Sequence, residues 1–250
     1  MNRLQGRVAI VSGAGGGIGS AICRRFAREG AAVVCVDINE ETVEATAAGL
    51  ADSGARAFAL AADVAEEATA EAAVRTAREE FGGLDILVNN AVYDIPLAPL
   101  TEISLDDWQR TMDVNLTSAF LMSKHAIPAM EARGGGSIIH IASQLGRTAR
   151  PGRPWYCAQK AALINLARAM ALDHAEQKIR VNSLSPGPVE TDRYLRNFPS
   201  SEAANATSNT LLDRLGKPDE IAAGAAFLAS DDASFMTGSD LLIDGGYTVP

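Results

Sequence analysis

Cysteine is scarce in this chain. Cys23, Cys35 and Cys157 are the three in 250 residues, and they form neither a CxxC pair nor a metal-binding spacing. An odd, sparse set points to free thiols in a reducing compartment. Basic residues are also in deficit, 22 against 31 acidic ones, for a net charge of −9. Such a surface repels phosphate backbones, so no nucleic-acid partner is expected. No apolar run reaches the ~20 residues that span a bilayer. No basic amphipathic stretch suits a membrane surface. The opening residues, MNRLQGRVAIVSG, enter a strand-like run by Arg7 without a long apolar region and cleavage site, so no signal peptide is expected. A cytoplasmic protein is the expectation. His125, His140 and His174 are scattered, with no HExxH or similar spacing, and no metal site is expected. Repeats and domain-splitting linkers are missing too.

What remains is a globular composition, 47% hydrophobic and 21% charged, with enough chain to bury a substantial core. Short apolar runs alternate with longer amphipathic segments. Strands are predicted at Arg7–Ser12, Ala32–Asp37, Ala55–Ala61, Leu84–Asn89, Ser137–Ala142, Lys178–Leu184 and Ser239–Ile243. Helices are predicted at Gly17–Gly30, Glu40–Ser53, Glu66–Phe81, Ser104–Glu131, Trp155–Ala175 and Pro218–Ala229, with Ser104 as an N-cap and Asp107 in the capping-box position. Continuously apolar strands between helices indicate a parallel sheet covered on both faces. The expected fold is α/β: a single doubly wound Rossmann-like domain over residues 1–250, with a parallel seven-stranded sheet flanked by helices on both faces. The run Pro186–Asn209, rich in Pro, Ser, Asn and Thr, reads as a substrate loop or lid of about 188–212 with short helical pieces.

Between the first strand and the first helix lies Ser12-Gly13-Ala14-Gly15-Gly16-Gly17-Ile18-Gly19. Glycines let the backbone turn tightly and approach a pyrophosphate at a helix N-terminus. No frame of the loop matches GxGxxG, and a glycine loop alone also suits an ordinary strand–helix turn. Asp37 closes the second strand 18 residues past Gly19, where a carboxylate can accept hydrogen bonds from an adenosine ribose. It would repel a 2′-phosphate, and neither Gly16 nor Ile38 supplies a compensating charge, so NAD is expected over NADP.

Tyr156 and Lys160 stand four residues apart and share a helix face. A tyrosine with an ordinary pKa near ~10 is a poor base, and a neighbouring cation lowers it. YxxxK alone is common on solvated helices. Ser143, however, lies 13 residues upstream, just past the fifth strand, where open α/β sheets bind ligands.

Taken together, these residues resemble the short-chain dehydrogenase/reductase superfamily in its common ~250-residue form. The likeness covers essentially the whole chain. Gly13, Gly17 and Gly19 match the family's TGxxxGxG motif, with Ser12 in place of threonine and Ile18 within the motif. Asp63-Val64 resembles the adenine-contacting pair, and Asn89-Asn90-Ala91 the start of the NNAG motif. Pro186-Gly187 resembles the PG motif, followed by Val189 and by Thr191 as the carboxamide-contacting threonine; Asp244-Gly245-Gly246 is also familiar. The resemblance implies a catalytic tetrad of Asn115, Ser143, Tyr156 and Lys160. In it Tyr156 is the acid/base and Lys160 lowers its pKa and binds the nicotinamide ribose. Ser143 positions substrate, and Asn115 helps hold a relay water. Val92 departs from the pattern, standing where the family has glycine.

The implied activity is hydride transfer between NAD and a secondary alcohol or ketone. An NADPH-dependent 3-oxoacyl thioester reductase is the alternative enzyme, against which Asp37 argues. A nucleotide-binding sensor or scaffold is the non-enzymatic alternative, against which the intact tetrad argues. Substrate choice falls to Val92–Leu97, Gln144–Arg153 and Tyr194–Asn209. Arg147, Arg150 and Arg153 are open to two readings, an attractor for a substrate carboxylate or phosphate and a solvated turn. Trp155 lines the substrate side or packs; Trp108 packs. Surplus apolar residues on Ser104–Glu131 and Trp155–Ala175 suggest a subunit interface, and the resemblance implies a homotetramer or homodimer.

Overall fold

A computed structural model describes residues 2–249. The strands are β1 (Val8–Ser12), β2 (Ala32–Asp37), β3 (Ala57–Ala61), β4 (Ile86–Asn89), β5 (Gly136–Ile141), β6 (Ile179–Pro186) and β7 (Asp240–Ile243). They pair in parallel in the order β3-β2-β1-β4-β5-β6-β7. The helices are α1 (Gly17–Arg28), α2 (Glu40–Asp52), α3 (Glu67–Phe81), α4 (Leu105–Met112), α5 (Ser118–Ala132), α6 (Pro154–Asp173), α7 (Asp192–Leu195), α8 (Ser201–Ala206) and α9 (Pro218–Ala229). The doubly wound, seven-stranded α/β architecture expected from the sequence is the one observed.

Two apolar layers explain why the strands read as continuous runs. Side chains alternate across a strand. Ala9 and Val11 of β1 pack with Ile22 and Phe26 of α1, Leu50 of α2 and Ile221 of α9. Val8 and Ile10 point the other way, toward Val74 of α3, Met122 and Met130 of α5 and Met170 of α6. Both sheet faces are therefore core, as parallel sheets require. The chain reverses direction across the sheet at β1, whose neighbours are β2 and β4. The loops after β1 and β4 part there and leave a crevice, the usual ligand position in such sheets.

The long helix expected over Ser104–Glu131 is interrupted. α4 and α5 are joined by a wider π-type turn over Asp113–Thr117. Asn115 in that turn bonds the backbone of the stretch after β4. Its Oδ1 accepts from the Tyr93 N–H at 2.6 Å, and its Nδ2 donates to the Tyr93 carbonyl at 3.0 Å. Hydrophobic periodicity does not register one such widened turn, and these turns gather at functional sites. Ser104 does cap α4, accepting from the Asp107 N–H, but its hydroxyl also donates to the Asp107 carboxylate. β6 starts at Ile179 because Lys178 sits at φ 58°, outside strand geometry. Pro154 opens α6, where its missing N–H costs nothing. The segment after β6 carries the short helices α7 and α8. No helix among the described residues is long and apolar enough to cross a membrane.

Candidate active site

The strand ends open into a cleft of about 590 Å³. Gly13, Gly16, Gly17, Ile18 and Asp37 line it from the β1 and β2 side. Ser143, Tyr156, Lys160, Pro186, Gly187, Val189 and Thr191 line it from segments that follow β5.

The first group is backbone-built. Gly13 lies at φ 66°, and a Cβ there would fall 2.7 Å from Asn90 Nδ2. At Gly19 a Cβ would fall 1.9 Å from the Gly13 carbonyl oxygen, so only glycine lets α1 pack this close to the loop. Gly16 is the N-cap of α1, which has no capping side chain and no acidic residue in its first turn. Its orphan N–H groups and positive dipole end are thus left for an anion. Asp37 Oδ2 accepts from the Gly15 N–H at 2.8 Å, which ties the loop to the end of β2. Ser12 shows why a hydroxyl belongs at its position. Its Oγ accepts from the N–H groups of Asn90 and Ala91 and donates to the Val88 carbonyl, clasping the ends of β1 and β4. These residues suit the pyrophosphate and ribose of a dinucleotide.

The second group is built from side chains. Tyr156, on the first turn of α6, is 8% exposed. The Lys160 Nζ stands 5.5 Å from its ring centroid and donates to the Ile141 carbonyl at 2.6 Å. That bond anchors the ammonium beneath the phenol. Burial pushes the Tyr156 phenol up. The charges of Lys160 and then Arg193 outweigh it and hold the phenol below its ordinary value. Burial likewise lowers Lys160, only partly offset by Tyr156. The Ser143 hydroxyl donates to Gln144 Oε1 at 2.7 Å and accepts from the Leu145 N–H at 3.1 Å, fixing Oγ near the phenol. Behind them, Asn115 Nδ2 donates to Gln159 Oε1 at 2.8 Å, and Gln159 Nε2 donates to Thr111 Oγ1 at 2.9 Å. A buried polar network therefore holds the widened turn against α6.

The family model described as "Enoyl-(Acyl carrier protein) reductase" matches residues 13–248. A crystal structure of a short-chain type dehydrogenase/reductase from Mycobacterium marinum superposes with a TM-score of 0.91 at 34% identity, covering 99% of this chain and 97% of that one. The chain belongs to the short-chain dehydrogenase/reductase superfamily. As a member it is an oxidoreductase that uses a nicotinamide cofactor. Among similar proteins is the cis-4-hydroxycyclohexanecarboxylate dehydrogenase of Sinomonas cyclohexanicum, 41% identical over 242 residues, covering 97% of this chain and 96% of the relative. Another is 7α-hydroxysteroid dehydrogenase, solved with NADH and 7-oxo glycochenodeoxycholic acid. It has a TM-score of 0.92 and 37% identity, covering 98% of this chain and 95% of that one.

Several residues singled out from the sequence of this dehydrogenase lie off the cleft wall. Asp63 pairs with Arg110 at 2.6 Å, and its Oδ1 accepts from the Ala65 N–H. Val64 is buried in the core beside α3, and Ala91 packs against the same layer. Asn89 points away from the cleft, its Nδ2 3.1 Å from His140 Nδ1; Asn90 is the one that reaches the wall, donating to the Ser12 and Gly13 carbonyls. Asn115 and Gly19 act from behind the wall. Val92 lines the cleft and packs against the apolar cluster of Ile95, Leu145, Trp155 and Tyr156, so a buttress for Tyr156 stands where the family has glycine. Trp155 is fully buried with its ring edge-on to Tyr156 at 5.4 Å, which resolves it as packing.

Other wall residues escaped the sequence. Arg193 stands 6.0 Å from the Tyr156 ring centroid and donates to the Asp94 carboxylate at 3.5 Å. Tyr247 joins the wall from near the C-terminus, and Gln159 bonds Asn115 from behind it. No local spacing marks these, because the residues they meet lie tens of positions away.

Proposed function

We propose that this chain oxidises a secondary alcohol to the ketone, and runs the reverse reduction, with NAD, using Tyr156 as the acid–base group. The observation that carries the reading is a buried phenol held below its ordinary pKa by Lys160 and Arg193 in the cleft, with the Ser143 hydroxyl beside it. Two similar proteins named as dehydrogenases of ring alcohols support the substrate class.

When bound, oxidised nicotinamide accepts the hydride that leaves the carbinol carbon. The Tyr156 phenolate takes the hydroxyl proton in the same step, and the phenol returns it in reduction. Ser143 donates to the substrate oxygen, trading its bond to Gln144 for one to the reacting group. Lys160 stabilises the phenolate, and its donors not used by the Ile141 carbonyl are free for a ribose hydroxyl. Asn115 positions α6 through Gln159. Asp37 would accept from the adenosine ribose of a bound cofactor and would repel a 2′-phosphate. The cations lining the cleft (Arg150, Arg153, Lys160 and Arg193) all come from segments after β5, which favours NAD over NADP.

The three free cysteines fit a reducing cytoplasm. Phe120 on α5 and Leu172 on α6 are 53% and 83% exposed, consistent with assembly into a homodimer or homotetramer.

The test is a screen of secondary alcohols for NAD reduction by the intact chain and by Tyr156→Phe. The variant is expected to bind NAD normally and to lose about 10²- to 10⁴-fold in kcat. Near-wild-type turnover of the variant would contradict the assignment.

A further inference from the structure

The substrate end of the cleft carries more positive charge than an acidic protein needs for its own folding. Arg150, Arg153 and Arg193 line it together with Ser143 and Tyr156. The Arg153 and Arg193 guanidinium carbons stand 5.7 Å and 6.0 Å from the Tyr156 ring centroid. One carboxylate, Asp94, serves the group. Its oxygens lie 3.2 Å from Arg153, 3.5 Å from Arg193 and 3.8 Å from Arg196. Each contact uses a single nitrogen, so every guanidinium keeps donors to spare. The two other carboxylates on the wall do not neutralise the cluster. Asp37 is bonded to the glycine loop, and Asp192 opens α7 with no ion pair among the described residues. Arg147 has left the group that the sequence suggested. It pairs with the buried Asp240 at 2.6 Å and with that residue's carbonyl.

We propose that the alcohol this enzyme takes carries a carboxylate, held by Arg153 and Arg193 with Arg150 at the rim, so that a hydroxy acid rather than a neutral alcohol is the preferred substrate. This rests on Tyr156 being the acid–base group. The planar guanidinium fork matches a carboxylate with two parallel hydrogen bonds, stronger than the single contacts made to Asp94. Both guanidiniums stand over the Tyr156 ring, so a carboxylate that they hold sits close to the carbinol carbon. Val92 and Leu145 supply apolar wall around the charges, which strengthens their attraction.

The test compares short-chain and ring hydroxy acids with the carboxamides of the same shape, using the intact enzyme and its cofactor. The acid is expected to win in kcat/KM by about 10- to 100-fold, the worth of a charge-assisted pair. Arg153→Met and Arg193→Met should each pull that ratio toward one. The ratio is read because any common effect on Tyr156 cancels in it. Should either variant fail to fold, the wild-type ratio decides alone. If carboxamides and neutral alcohols are turned over as well as the acids, the carboxylate proposal fails while the Tyr156 reading stands. If no alcohol is turned over, the Tyr156 reading fails. Calorimetry of the cofactor-loaded protein with cyclohexanecarboxylate against cyclohexanecarboxamide then decides the anion site: equal or absent binding overturns it.

Discussion

The two ends of the cleft are made in different ways. The glycine-loop end is backbone: N–H groups at the start of α1, close contacts that exclude a Cβ, and one carboxylate at the end of β2. The end facing Tyr156 is side chain: a phenol, an ammonium and three guanidiniums from α6, α7 and the loop before α6, with Asp94 from the stretch after β4. A backbone site recognises what all dinucleotides share and tolerates few residue types. A site of long side chains can be retuned one substitution at a time, which suits the choice of substrate.

The largest effect expected on this contrast comes from Asp37. Replacing it by serine removes the charge that opposes a 2′-phosphate, and like charges so placed cost several kcal/mol. The NADP-to-NAD ratio of kcat/KM should rise by about 100-fold or more, with the acid-to-carboxamide ratio unchanged. Movement of both ratios would mean that the two ends are not separate.

Next comes the floor that both ends share. His140 on β5 is fully buried, and burial first, then Lys160, lowers it from 6.5 to about 4. The folded state therefore refuses a proton that the unfolded state accepts below pH 6.5. Stability is whole above that pH and is lost as pH falls toward about 4, by up to about 3 kcal/mol. Urea midpoints measured across this window should fall for the wild type and fall less for His140→Asn; equal slopes would contradict the burial argument. A smaller effect is expected at Gly19→Ala, whose methyl meets the Gly13 carbonyl. A loss of about 1–3 kcal/mol in thermal or urea unfolding should accompany weakened NAD binding. Unchanged binding would show that the loop tolerates displacement.

The same contrast governs what the sequence discloses. Strand runs, the glycine loop, Asp37 and the Tyr156–Lys160 pair are local patterns, and each was readable because its physics acts within one turn or one loop. Arg193 is not readable that way, since its partners Tyr156 and Asp94 come from distant segments. The turn at Asn115 is hidden for a related reason. A widened turn leaves the hydrophobic rhythm of α4 and α5 nearly intact, and Asn115 within it bonds Tyr93. Asn89 and Asn90 show the limit of a motif, which marks a segment without telling which side chain faces the ligand.

The central claim is that neighbouring cations let a buried phenol ionise readily enough to serve as the base. The most direct test follows the pH dependence of kcat for alcohol oxidation in the wild type and in Lys160→Ala. With the phenolate proposed as the active form, the rate should rise with pH through a midpoint below the ordinary tyrosine value of ~10. Loss of the Lys160 charge should move that midpoint to higher pH. A midpoint that stays where it was, or falls, would contradict the account.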